Sequence, residues 1–225
     1  MGRSRNVRIG LAASLAALLA ILAAESASAG ASSGRMTPRE KAIHALNRLG
    51  FGPRPGDVER VEAMGVSAWI AAQLDPDRIP DPIAGAKVAE FPTLAMSQSE
   101  IFDTFERPIR EARERRNQKA ASMSAAELAA AETDFAAALP PEKRPRRLID
   151  ELSAARVLRA AYSERQANEV LVDFWMNHFN VFANKGLDRV LVTAFERDTI
   201  RPGIWGRFED LLLATAKSPA MLFYL

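Results

Sequence analysis

Tyr162-Ser-Glu-Arg-Gln-Ala-Asn-Glu-Val-Leu-Val-Asp-Phe-Trp-Met-Asn-His-Phe-Asn-Val-Phe182 is the densest stretch of this 225-residue chain, and its reading decides the fold. Just before it, Leu148, Leu152, Ala155, Leu158 and Tyr162 fall at offsets 0, 4, 7, 10 and 14, the spacing of one α-helical face. Ser163 and Gln166 then read as a cap for a second helix running to about Phe182. At about 100° per residue, Gln166, Glu169, Asp173, Asn177 and Asn180 form one polar stripe. Leu171, Trp175, His178 and Phe182 lie on the opposite side. The wheel therefore predicts that His178 points to the core beside Trp175. The polar stripe is expected to be a solvated face or an interhelix hydrogen-bond seam.

The same period continues on both sides. Downstream, Asn184-Lys-Gly186 is a turn, and Leu187, Leu191, Ala194 and Phe195 give a helix closed by Arg201-Pro-Gly203. Ile204, Phe208, Leu211 and Leu212 give another, and Ser218-Pro219 is an N-cap with proline at the first helical position. The last residues, Ala220-Met-Leu-Phe-Tyr-Leu225, are apolar, whereas chain ends are usually polar and frayed. The expectation is a fragment or an interrupted reading frame, poorly stable by itself.

Upstream, Thr37-Pro-Arg-Glu40 is a capping box, followed by Ile43, Leu46 and Leu49 on one face and Gly50 as a stop. Phe51-Gly-Pro-Arg-Pro-Gly56 must be a loop. Val58, Val61 and Met64 mark one short helix, and Val66, Ile70 and Leu74 another. Residues 75–97 hold four prolines and read as irregular. Ser97-x-x-Glu100 opens a helix through Ile101, Phe102, Phe105, Ile109 and Ala112, with a kink or a new start at Pro108. Residues 106–138, including a Ser124-x-x-Glu127 capping box, read as a charged helical hairpin or a partly ordered insertion. No segment alternates with period two. The fold class is all-α, an irregular multi-helix assembly with Pro/Gly-rich loops and no sheet.

Composition narrows the function classes. The chain is 48% hydrophobic and 26% charged, which excludes a disordered chain. It has no cysteine, hence no disulfide framework, thiolate metal site or cysteine nucleophile. Residues 1–29 carry Arg3, Arg5 and Arg8, an apolar run from Ile9 to Ala24 and an Ala27-Ser-Ala29 site. That order is a secretory signal peptide cleaved between Ala29 and Gly30. The run falls short of the ~20 residues of a spanning helix, so no stable membrane anchor is expected after cleavage. The protein is expected to be exported, periplasmic or extracellular, with residues 30–36 a flexible linker and 37–225 the helical domain. Without the signal the chain has 27 basic and 27 acidic residues, which removes the electrostatic case for nucleic acid.

Motifs for chemistry are sparse. There is no nucleophile elbow, phosphate-binding loop or Rossmann fingerprint. His178, with Asn177 and Asp173, is the candidate catalytic group; the alternative is a core imidazole with a hydrogen-bond partner. The only other histidine is His44, and no His-Glu-x-x-His pair exists, so no metal ligand and no cofactor-binding residue is assigned. Trp175 and Trp205 are candidates for stacking on a ligand such as a sugar. Lys143-Arg144-Pro-Arg146-Arg147 reads as a solvated helix start.

Four stretches together resemble the bacterial domain-of-unknown-function family 1800. They are Leu46-Asn-Arg-Leu-Gly-Phe-Gly-Pro53, residues 162–186 with their Phe-Trp-x-Asn-His-Phe core, Phe195-Glu-Arg-Asp-Thr-Ile-Arg-Pro202, and Gly206 to Leu225. The resemblance covers most of residues 40–225 and implies a mostly helical, commonly exported protein without an established activity. It also implies a partner, because family members are often encoded beside a sulfatase-like protein. The family's later Asn-Tyr-Ala-Arg-Glu-Leu-x-Glu-Leu-His helix is not in this sequence. Three readings stand: an envelope scaffold or partner-binding protein, a hydrolytic or metal-assisted enzyme completed by further residues, and a glycan-binding domain.

Overall fold

The computed structural model describes residues 35–120, 122–124, 126–127 and 138–225. The signal segment with Ala29 and Gly30 lies outside the described residues, as do residues 30–34 and the second arm of the hairpin expected at 106–138. The chain divides into two compact units, residues 1–41 and 42–225. Of the first, residues 35–41 hold the Thr37–Glu40 capping box, with Thr37 N–H donating to Glu40 at 2.7 Å and Glu40 N–H to the Thr37 hydroxyl at 3.2 Å.

The described residues are helical and contain no strand. Helix α1 is Pro38–Leu49, α2 Asp57–Met64 and α3 Val66–Gln73. Helix α4, Pro82–Val88, lies inside the span expected to be irregular. A proline at its first position fits because that N–H has no intrahelical partner anyway. Helix α5, Gln98–Ile101, opens on the predicted Ser97–Glu100 capping box. It runs through a π-helical turn, Phe102–Glu106, into α6, Arg107–Ala120. Helix α7 is Arg146–Tyr162 and α8 Gln166–His178, which stops four residues before the expected end. Helix α9, Asp188–Ala194, continues through a second π-helical turn, Phe195–Ile200, into the single turn α10, Arg201–Gly203. Helix α11 is Phe208–Lys217, and α12 is Pro219–Tyr224, capped by the Ser218 hydroxyl as the sequence predicts.

Both π turns end two residues before a proline, Pro108 and Pro202. Proline has no N–H for the i−4 carbonyl and its ring crowds that carbonyl. Widening the preceding turn relieves the conflict without breaking the rod. Pro108 is therefore absorbed within a continuous helix rather than causing a new start.

Residues 42–225 hold two apolar cores. The larger gathers Ile101, Phe105, Leu148, Leu152, Val172, Met176, Val190, Phe195, Ile200 and Leu211. The smaller gathers Ala42, Ala45, Leu46, Val58, Val61 and Trp69. Met64 and Leu74, expected inside, are exposed; Trp69 and Gln73 take the buried face of α3 instead.

The turn Ser163–Gln166 ties the two cores together with polar bonds. Ser163 Oγ and Glu164 N–H both donate to Asp81, at 2.7 and 3.0 Å. Glu164 accepts from Arg54 at 2.9 Å and from Arg60 at 2.6 Å. Gln73 donates to the Glu164 carbonyl at 2.9 Å and accepts from Ala167 N–H at 3.0 Å. Gln166 accepts from Phe51 N–H at 3.1 Å and donates to the carbonyls of Ala160 and Ser163. A side chain on Gly50 would meet the Leu46 carbonyl oxygen at 3.0 Å and Gln166 Oε1 at 3.1 Å, so glycine lets the two segments approach without displacing either. The Ser163–Gln166 cap predicted from sequence is thus a tertiary clasp: Gln166 turns outward from its own helix, and the N-cap position is Arg165.

Candidate functional site

Helix α8 is the centre of the site. Its polar stripe is a buried seam over the first half and solvated at Asn177 and Asn180. Leu171 and Trp175 pack against the larger core, and His178 and Phe182 depart from the expectation by reaching the surface. The buried side chains are Gln166, Ala167, Glu169, Val172 and Met176. Phe174, His178 and Phe182 are exposed, and Leu171 and Trp175 are half-buried. The polar stripe is the inward one over its first half, because partners wait for it there.

Arg201 is the main partner. Its two terminal nitrogens form a fork on Glu169, at 3.0 Å to Oε1 and 2.9 Å to Oε2. Its Nε donates to Glu196 Oε1 at 2.8 Å. Glu196 and Arg201 are five residues apart, which in an α-helix puts side chains about 140° apart. The π-helical turn between them brings both onto one face. Arg159 stands 3.6 Å from Glu196, and Arg156 stands 3.8 Å from it while also pairing with Asp173. Glu196 is 1% exposed, and its Oε2 has no hydrogen-bond partner among the described residues.

Burial pulls the Arg159 guanidinium below its ordinary value, and the neighbouring Arg201 charge adds to this. Burial acts on Arg201 in the same direction, but its bonds to Glu169 and Glu196 outweigh it and raise the pKa. Three guanidiniums therefore face three carboxylates.

Beside them lies a cavity of about 320 Å³, lined by Phe51, Ser153, Arg156, Val157, Ala160, Glu169, Val172, Asp173 and Arg201. Asp173 and Asn177 do come together: Asn177 Nδ2 donates to the Asp173 carbonyl at 2.8 Å and to its carboxylate at 3.2 Å. Every carboxylate of the cavity wall is held by arginine. The arrangement is a charge-balanced seam rather than a poised acid–base pair.

His178 stands apart from Asp173 and Asn177. It stacks on Phe174 with centroids 5.8 Å apart and meets Trp175 and Phe179 edge-on at 5.3 and 5.0 Å. Trp175 stacks on Phe179 at 5.4 Å and on Phe208 at 5.7 Å. These rings form a continuous aromatic surface. Phe174 is 53% and Phe208 54% exposed, and Leu212, one turn beyond Phe208, is also exposed. The core position expected for His178 is thus corrected: its neighbours are aromatic but the ring is at the surface. Trp205 is exposed and its indole N–H donates to Asn168 at 2.9 Å, while Asn168 in turn donates to Glu169 at 3.2 Å. No three His, Asp or Glu side chains converge as a metal cage among the described residues.

Sequence reasoning missed Arg156, Arg159, Glu196 and Arg201. The signal was present in Pro202, which marks the widened turn that aligns Glu196 with Arg201.

A family model described as a protein of unknown function, DUF1800, matches residues 44–225. The chain belongs to this family. No curated protein and no solved structure matches the chain. The DUF1800 match covers α2 to α12 and both faces of α8.

Proposed function

We propose that this DUF1800 protein is an exported, partner-binding protein of the cell envelope that docks through the aromatic surface of α8 and α11. One observation carries the reading: the rings of Phe174, Trp175, His178, Phe179 and Phe208 form a contiguous cluster in which Phe174, His178 and Phe208 are exposed and Trp175 and Phe179, half-buried, anchor it to the larger core. Soluble proteins seldom leave such a cluster in water without a use for it. Aromatic side chains are the usual anchors of protein–protein interfaces because they bury large areas with few torsions to freeze. The occupant we propose is the sulfatase-like protein that the family's gene neighbourhoods supply.

The adjoining charged seam supports a scaffold role, since its carboxylates are engaged by Arg156, Arg159 and Arg201. Export rests on the signal pattern of residues 1–29. Its test is the mass of the protein recovered outside the cytoplasm: processing predicts a chain beginning at Gly30, and Ala29→Arg should leave the precursor uncut. Docking is tested by co-purification with the sulfatase-like protein. A complex formed by the parent chain and lost in Phe174→Ser/Phe208→Ser supports the reading; binding unaffected by the double change overturns it.

A further inference from the structure

A second cavity lies away from the aromatic surface, between the start of α6, the start of α9 and α12. It measures about 390 Å³, within the range of small-molecule sites. Ile109 and Phe223 give its apolar wall, and Glu106, Arg110, Arg113 and Arg189 give its polar one.

The charge on this cavity is one-sided. On helix α6 the neighbouring arginines are neutralised within their own helix: Arg107 pairs with Asp103, and Arg115 with Glu111 at 3.7 Å. Residues 106, 109, 110 and 113 share the helical stripe that faces the cavity. Among the described residues no carboxylate lies within ion-pair distance of Arg110, Arg113 or Arg189. Arg110 sits over the Phe102 ring at 5.8 Å, and Arg189 donates through Nε to the Gly186 carbonyl at 3.0 Å, which leaves its terminal nitrogens outside that bond. Three guanidiniums thus face one carboxylate, and burial raises the Glu106 pKa against the pull of Arg113, Arg189 and Arg110. A permanent positive excess beside a phenyl ring and an isoleucine is complementary to an anion with an apolar body.

We infer that this cavity binds a small organic anion whose phosphate, sulfate or carboxylate head is held by Arg110, Arg113 and Arg189 and whose apolar body lies against Ile109 and Phe223. Guanidinium forks suit such heads because two parallel N–H groups match two oxygens.

The test is calorimetric titration of the full chain with phenyl phosphate, with inorganic phosphate carrying only the head and phenol only the body. Phenyl phosphate should bind saturably and weaken as salt is raised. It should bind at least about tenfold more tightly than inorganic phosphate, since the ring is buried as well. Arg110→Ala/Arg113→Ala, both exposed positions, should weaken it about tenfold or more. Glu106→Gln should tighten it by removing the one opposing charge. No saturable binding overturns the inference, as does binding unchanged in the arginine double variant or weakened by Glu106→Gln. Inorganic phosphate binding as tightly as phenyl phosphate overturns the assignment of an apolar body.

Discussion

The two sides of helix α8 differ in a way that its composition would not suggest. One side carries Gln166 and Glu169 and is buried. The other carries Phe174, Trp175 and His178 and reaches the surface. The difference is set by what each side meets. A buried carboxylate is costly when alone and tolerable when a cation with good geometry faces it. Arg201 does this for Glu169 and Glu196 together. The aromatic side packs on the larger core through Trp175 and Phe179 and leaves Phe174 and Phe208 more than half exposed. The charged side thus belongs to the fold, and the aromatic side to whatever the fold displays.

The sharpest way to break this contrast is Arg201→Ala. It would leave Glu169 and Glu196 buried without their main partner, and should cost about 3–5 kcal/mol in urea unfolding. Phe174→Ser should cost less than about 1 kcal/mol, because its ring is more than half exposed. Equal losses from the two changes would contradict the assignment of charges to the fold and rings to display.

A second test asks whether pairing, rather than burial, is what makes interior charge tolerable. Asp188 is buried, and neither carboxylate oxygen has a hydrogen-bond partner among the described residues. Burial raises its pKa, with Lys185 acting in opposition. The folded state therefore holds the Asp188 proton more tightly than the unfolded chain does. This makes stability fall as pH rises from the unfolded value of ~3.9 through the folded one. Asp188→Asn should remove that slope and raise stability near neutral pH by about 1 kcal/mol or more. Denaturation followed from about pH 4 to pH 7 reads both, and a slope unchanged by Asp188→Asn would contradict the account.

Asp57 is the paired counterpart and should behave in the opposite sense. Burial alone would raise its pKa, but hydrogen bonds from the Arg54 side chain and backbone and from Arg60 outweigh it and lower the value. Its contribution is present above the unfolded pKa of ~3.9 and is lost as pH falls through the folded value. Protection from hydrogen exchange in α1 to α3, taken relative to the intrinsic rate at each pH, should therefore fall below about pH 4, and Asp57→Asn should abolish the change. This is the smallest of the expected effects, since Arg54 and Arg60 also hold Glu164.

Much of the fold was legible because helical period and caps are local signals. The boxes at Thr37 and Ser97 and the cap at Ser218 form as read. Helix α4 was not legible: two turns among prolines give too few apolar repeats to establish a period. The site was legible only as a helix. A wheel gives the two sides of residues 166–178 but not which one faces inward, because that depends on Arg201, which is remote in sequence. The alignment of Glu196 with Arg201 escapes any reading at 100° per residue, since it exists only in a widened turn.

The most direct test of the central claim is binding between the full chain and the sulfatase-like protein, measured for the parent, Phe174→Ser/Phe208→Ser and Arg201→Ala, with melting temperatures alongside. The account predicts that the aromatic double variant loses the complex while melting close to the parent, and that Arg201→Ala melts far lower. A double variant that binds as the parent does, or that melts as low as Arg201→Ala, would contradict it.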